Sequence, residues 1–194
     1  MQDSRARGRR TLIIVAAVFL VPVAVAFTLY YGKLWRPANS SSNGELIDPA
    51  RPLRVAGLRH PDGTPVGPEV FGGKWTLIYI GDGRCDEACR QTLVFGRQSR
   101  LALNNEMTRV QRVFLATANC CDNEYFTREQ AGLIALDASA PEASAFVAQF
   151  PEGRAQALFI VDPLGNLMMR HDASQTTKGL LSDLKKLLKL SHIG

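Results

Sequence analysis

The hydrophobic pattern divides the chain into two unlike parts. From Thr11 to Gly32 no side chain is charged, and Leu, Ile, Val, Ala and Phe dominate. About 20 apolar residues, each rising about 1.5 Å, span a bilayer core of roughly 30 Å. Pro22 in the middle is tolerated in a membrane helix, and Tyr30, Tyr31 and Trp35 form an interfacial belt at its far end. The stretch Pro37 to Asn43, reading PANSSSN, is polar and rich in turn residues, which predicts a linker.

Beyond the linker the pattern becomes that of a folded domain. Leu46 to Gly73 is rich in Pro and Gly and predicts a short outer strand or hairpin. Trp75 to Ile80 (WTLIYI) is a β-branched and aromatic run that stops at Gly81-Asp82-Gly83, the mark of a buried strand followed by a turn. Cys85 to about Asn104 reads as a helix, Val110 to Thr117 as a second strand and Gly132 to Leu136 as a third apolar run. Pro141 opens a helix predicted to reach Phe150. Ala157 to Val161 is a strand, Asp162-Pro163-Leu164-Gly165 supplies a turn, and Leu167 to Arg170 returns antiparallel. In the closing helix Leu180, Leu181, Leu184, Leu187 and Leu188 share one face, with Ser182, Asp183, Lys185, Lys186 and Lys189 opposite.

Strand, helix, strand, then helix, hairpin, helix is the thioredoxin layout. The expected class is therefore α/β: a thioredoxin-like domain, with a central mixed sheet flanked by helices, preceded by one transmembrane helix. The expected divisions are 1–10 as a basic cytoplasmic tail, 11–32 as the anchor, 33–45 as the linker and 46–194 as the extracytoplasmic domain.

Charge fixes the direction of the anchor. The chain has 194 residues and a formal charge of +5, and Arg5, Arg7, Arg9 and Arg10 concentrate much of that charge before the apolar run. Only Lys33 and Arg36 follow it closely, so the positive-inside rule places the N-terminus in the cytoplasm and the domain across the inner membrane, on the periplasmic side. A cleaved secretory signal, with Ala24-Val25-Ala26 as the cleavage site, is the alternative, but the apolar run continues to Tyr31. Either way the domain is exported. No basic stripe interleaved with aromatics appears in the domain, which argues against nucleic acid as a partner.

The informative chemistry lies in the cysteines. Cys85-Asp86-Glu87-Ala88-Cys89 follows a buried strand and opens a helix. At spacing i, i+4 the two sulfurs share a helical face, with Cα atoms about 6 Å apart, within disulfide reach. A helix N-terminus favours thiolate, although Asp86 and Glu87 oppose this locally. Such a pair suits thiol–disulfide exchange or a soft cation such as Cu(I). A structural disulfide is the bland reading, but one closing so small a loop constrains the unfolded chain little. Cys120 and Cys121 follow the second strand, at the same rim if the strands are parallel neighbours. They are either auxiliary thiols or metal ligands, or simply one buried and one exposed cysteine in a loop.

With Gly73 to Cys89 (GKWTLIYIGDGRCDEAC) and Phe159 to Gly165 (FIVDPLG) in view, the chain resembles the SCO/SenC family over roughly residues 45 to 190. Those are membrane-anchored thioredoxin-fold proteins of cytochrome c oxidase assembly, with a strand leading into CxxxC and a late strand ending in a DPxG turn. The resemblance implies Cu(I) held by Cys85 and Cys89 for the oxidase copper-binding subunit, or reduction of that subunit's copper-ligand cysteines. The family's third ligand, a histidine before the late strand, falls here at about Arg154, and no histidine stands between His60 and His171. Arginine stays protonated and cannot ligate a metal. His171 is a weak substitute, expected to be a surface imidazole; His60, in a turn, and His192, at the tail, are weaker.

The expected function is therefore a SCO-like assembly factor acting by thiol–disulfide exchange, with Cys85 attacking and Cys89 resolving, and with Cu(I) handling weakened. A general cell-envelope thiol–disulfide oxidoreductase and a non-catalytic docking module are the alternatives. No peroxidatic Thr-and-Cys pattern is present.

Overall fold

The computed structural model describes residues 2–32, 42–121, 123–154, 156–174 and 177–191. Lys33, Trp35, Arg36, linker positions 37–41, His192 and the side chain of Tyr30 lie outside the described residues. The chain forms two units, Met1–Ser41 and Ser42–Gly194.

The first unit is α1 (Gln2–Tyr31), which carries Pro22 inside it and starts well before the predicted apolar boundary. Leu12–Leu29 has a mean hydropathy of 2.9, and the helix is long and apolar enough to cross a membrane. The Thr28 hydroxyl donates to the Ala24 carbonyl at 2.6 Å, so the hydroxyl group near the end of the run is paired within the helix.

The second unit is built on one mixed sheet. Its strands are β1 (Glu45–Pro52), β2 (Trp75–Asp82), β3 (Val110–Ala118), β4 (Leu133–Asp137), β5 (Ala157–Val161) and β6 (Asn166–Asp172). They lie in the order β1-β6-β5-β2-β3-β4. β2, β3 and β4 are parallel neighbours, whereas β5, β6 and β1 alternate antiparallel. The central strands β2 and β5 are continuously buried runs, as strands covered on both faces must be.

Two layers cover the sheet. On one face α2 (Glu87–Leu101) and α5 (Thr177–Leu190) pack over Leu77, Tyr79, Phe114, Leu158 and Ile160. Leu180, Leu184 and Leu188 of α5 are buried as its spacing predicts, each worth about 1.5–3 kcal/mol of burial. On the other face Phe71, Phe146, Phe150 and Phe159 form a dry aromatic cluster with Ile78, Ile80 and Leu115. Two short helices, α3 (Asn123–Glu129) and α4 (Ser144–Val147), complete the unit.

Some predicted boundaries move. The predicted Leu46–Gly73 strand or hairpin is β1 on the sheet edge, then an irregular stretch with an Arg59–Pro65 bridge. The helix predicted from Pro141 to Phe150 is a 3₁₀ turn, Pro141–Ala143, followed by α4. In α5, Asp183 is not on an exposed polar face but is 1% exposed. Its Oδ2 accepts from the backbone N–H groups of Asn43 and Gly44, each at 2.8 Å, and Oδ1 accepts from the Asn43 amide at 3.0 Å. A buried carboxylate needs such donors, and these come from the segment that enters the domain.

Candidate functional site

The site begins where β2 ends. Asp82 Oδ1 accepts from the Arg84 backbone N–H at 2.8 Å, and Oδ2 accepts from the Asn119 amide at 2.8 Å. The backbone N–H of Arg84, then its side chain and Asn119, hold the Asp82 carboxyl down at about 2. The chain then turns through Cys85, whose φ of +48° is left-handed, with its N–H donating to the Asp82 carbonyl at 3.0 Å.

α2 starts two residues later than predicted. Asp86 is the N-cap, its Oδ1 accepting from the Cys89 N–H at 2.9 Å, and Glu87 is the first helical residue. Cys85 therefore stands outside the helix and Cys89 sits in its first turn, with both sulfurs at the helix N-terminus. An N-cap aspartate was a readable signal for this start.

Cys85 and Cys89 are joined as a disulfide with Cα atoms 5.1 Å apart, close to the separation expected from the spacing. They are 1% and 2% exposed. A cleft of about 490 Å³ reaches them between Tyr79, Asp82, Arg84 and Asp86. Burial, reinforced by the Asp86 charge, pushes the Tyr79 phenol up to about 12, so this wall stays neutral. Arg90 was not singled out in the sequence, yet its Nε donates to the Cys85 carbonyl at 3.1 Å while its guanidinium lies 4.5 Å from the centre of the Tyr125 ring.

Cys120 and Cys121 do reach the same rim, because β2 and β3 are parallel neighbours. They are neither one buried nor one exposed: both are half-buried, pack against the core beneath α2 and are disulfide-linked to each other.

The histidines behave otherwise than expected. His171 is not a surface imidazole; it is fully buried on β6, against Phe95 of α2 and Gly179 of α5. Its Nε2 has no hydrogen-bond partner among the described residues and lies 3.9 Å from Asp183 Oδ2. Burial outweighs that carboxylate and lowers its pKa, favouring the neutral ring. His60 is half-buried in a turn, its N–H donating to the Thr64 carbonyl at 2.8 Å. Arg154 is half-buried and donates to the Phe150 carbonyl at 3.1 Å. Among the described residues no three His, Cys, Asp or Glu side chains are grouped to hold a metal. The donors thus fit at most a two-coordinate thiolate site once the Cys85–Cys89 bond is reduced, not a trigonal one.

Solved structures share this fold. Apo Sco1 from Thermus thermophilus is 23% identical, with a TM-score of 0.62 over 77% of this chain and 99% of that one. Yeast Sco1 with copper bound is 15% identical, with a TM-score of 0.60 over 78% and 95%. BsSco, a member of the Sco family of cytochrome c oxidase assembly proteins in which a disulfide switch has been identified, is 16% identical, with a TM-score of 0.54 over 76% and 99%. At these identities the likeness establishes the fold. No curated protein matched the chain. The family described as "transmembrane-like, thioredoxin-like, C-terminal domain" matches residues 75–191, more than half of the sequence. The chain belongs to that family of thioredoxin-like domains.

Proposed function

We propose that this protein is a single-pass assembly factor for cytochrome c oxidase that acts by thiol–disulfide exchange through Cys85 and Cys89. The observation that carries the reading is a cysteine pair already disulfide-linked at the parallel-strand rim of a Sco-like fold, at the base of a cleft. Cys85, outside the helix, is the sulfur that enters the mixed disulfide during exchange. Cys89, in the first turn of α2, is the resolving thiol, since the helix terminus stabilises its thiolate. The arginines before the apolar run orient α1 with its N-terminus in the cytoplasm and the domain on the periplasmic side of the inner membrane.

Cu(I) is cargo in this reading. The reduced pair supplies two thiolates, and Arg154 stands where a third ligand would be, so reduction of the oxidase subunit's copper-ligand cysteines is favoured over copper carriage. The same missing ligand favours, as a second reading, a general envelope oxidoreductase with other clients.

The test is oxidase assembly in cells carrying the Cys85→Ser, Cys89→Ser double variant, with Cu(I) titration of the reduced protein alongside. Loss of assembly with a Cu(I) stoichiometry near zero supports exchange. Assembly that survives the double variant refutes it and leaves the fold as a docking module.

A further inference from the structure

We propose that Cys120 and Cys121 form a second exchange centre, more accessible than the first, through which electrons pass between a client and the buried Cys85–Cys89 pair. This relay rests on the thiol-exchange reading above. Two observations carry it: exposure and contact.

Thiol–disulfide exchange requires a thiolate to approach a disulfide sulfur in line with the bond. Residues that are 1% and 2% exposed, at the base of a cleft, offer a folded client a poorer approach than thiols at the surface do. Cys120 and Cys121 are half-buried and present surface at the same rim.

The two loops that carry the pairs touch. The Gly83 N–H donates to the Ala118 carbonyl at 2.7 Å, and Asn119 donates to Asp82 across the gap. A Cβ on Gly83 would collide with the Asn119 carbonyl and stand 2.8 Å from the Cα of Cys120. Glycine is thus what lets the loops approach. Cys85 lies two residues further on, its Cα at most about 7.6 Å from that of Gly83. Cys85 belongs to the same apolar cluster against which Cys120 and Cys121 pack.

The steps balance as ordinary exchange. A client dithiol attacks Cys121 Sγ, the Cys120–Cys121 bond breaks and Cys120 leaves as thiolate. The client's second thiol then closes the client disulfide and releases Cys121. Cys120 attacks Cys85 Sγ and Cys89 leaves, favoured by its place in the first turn of α2. Cys121 next attacks Cys120 in the Cys85–Cys120 mixed disulfide, releasing Cys85 and restoring the Cys120–Cys121 bond. The two client protons end on Cys85 and Cys89, and two electrons have moved from the client dithiol to that pair. Run in reverse, the same steps reduce a client disulfide.

The test uses the full chain in detergent micelles and a synthetic dithiol peptide as the probe. In Cys120→Ser, Cys121→Ser, reduction of Cys85–Cys89 by the peptide is expected to slow at least tenfold. In Cys89→Ser, Cys121→Ser, mild oxidation with oxidised glutathione is expected to give a Cys85–Cys120 crosslink, identified by peptide mass. A rate equal to that of the wild type, or no crosslink in a folded variant whose Cys85 and Cys120 both alkylate, overturns the relay. If the Cys120→Ser, Cys121→Ser protein exchanges at full rate, the relay falls and the exchange reading stands. If Cys85–Cys89 resists the peptide in wild type and variant alike, both fall.

Discussion

The two faces of the sheet are built on different terms. The face holding Phe71, Phe146, Phe150 and Phe159 buries mostly aromatic and aliphatic side chains, and the buried Thr76 hydroxyl there accepts from the Gln111 amide at 2.9 Å. Its rings contact one another at centroid distances of 5.2–5.6 Å, with stacked or edge-on geometry. The face under α2 and α5 also buries the cysteine pair, His171, Asp183, Arg112 and Gln130. There Arg112 donates to the Gln130 side chain at 2.6 Å and to the Ala131 carbonyl at 2.8 Å, while its Nε has no partner among the described residues, and burial lowers its pKa to about 10. The contrast teaches that one face is packed by rings and aliphatic side chains, while the other buries more polar and charged groups and carries the cysteines.

Substitutions on the two faces should separate stability from chemistry. The largest stability loss is expected for Phe159→Ala, about 3–5 kcal/mol for a ring that is fully buried. Urea denaturation measures it, and the protein that remains folded should still exchange Cys85–Cys89. Loss of exchange in the folded fraction would break the division between the faces. Next comes Asp183→Ala, expected to cost about 2–3 kcal/mol because it orphans the buried N–H of Gly44 and removes the acceptor of the part-buried Asn43 N–H. Hydrogen exchange should show these amides losing protection together.

Cys85→Ser, Cys89→Ser reverses the pattern. Its stability cost is at most about 2 kcal/mol, since the loop it opens is so short, yet exchange disappears. A thermal melt and a peptide-exchange assay on the same sample decide this. The smallest effect is a pH dependence. Burial holds the folded His171 pKa below that of the unfolded chain, so stability is full above about pH 6.5. It falls as the pH drops from there through the lowered folded value, because the unfolded state binds the proton first. In His171→Gln this slope should flatten, read as the unfolding midpoint between pH 7 and pH 5.

The contrast also explains what could be read in the sequence. The continuous apolar runs of β2 and β5 and the Asp162–Gly165 turn are local patterns and appear where they are predicted, and the Cys85–Cys89 spacing gives the expected disulfide reach although Cys85 lies before the helix. Asp183 sat on the polar side of a helical wheel, and its real partners lie about 140 residues away, at Asn43 and Gly44. The burial of His171 is not legible because a strand residue six positions past a turn carries no mark of the helices that later cover it. The meeting of the Gly83 and Asn119–Cys120 loops is likewise a contact no single segment encodes.

The most direct test of exchange through Cys85 and Cys89 is to titrate the native full-length protein with dithiothreitol, counting thiols by alkylation and mass while circular dichroism follows the fold. The Cys85–Cys89 pair is predicted to open with the domain still folded, its two thiols distinguished by peptide mass from those of Cys120 and Cys121, and to close again on oxidation. Reduction that occurs only as the domain unfolds in guanidinium would mark the bond as a structural staple and contradict the account.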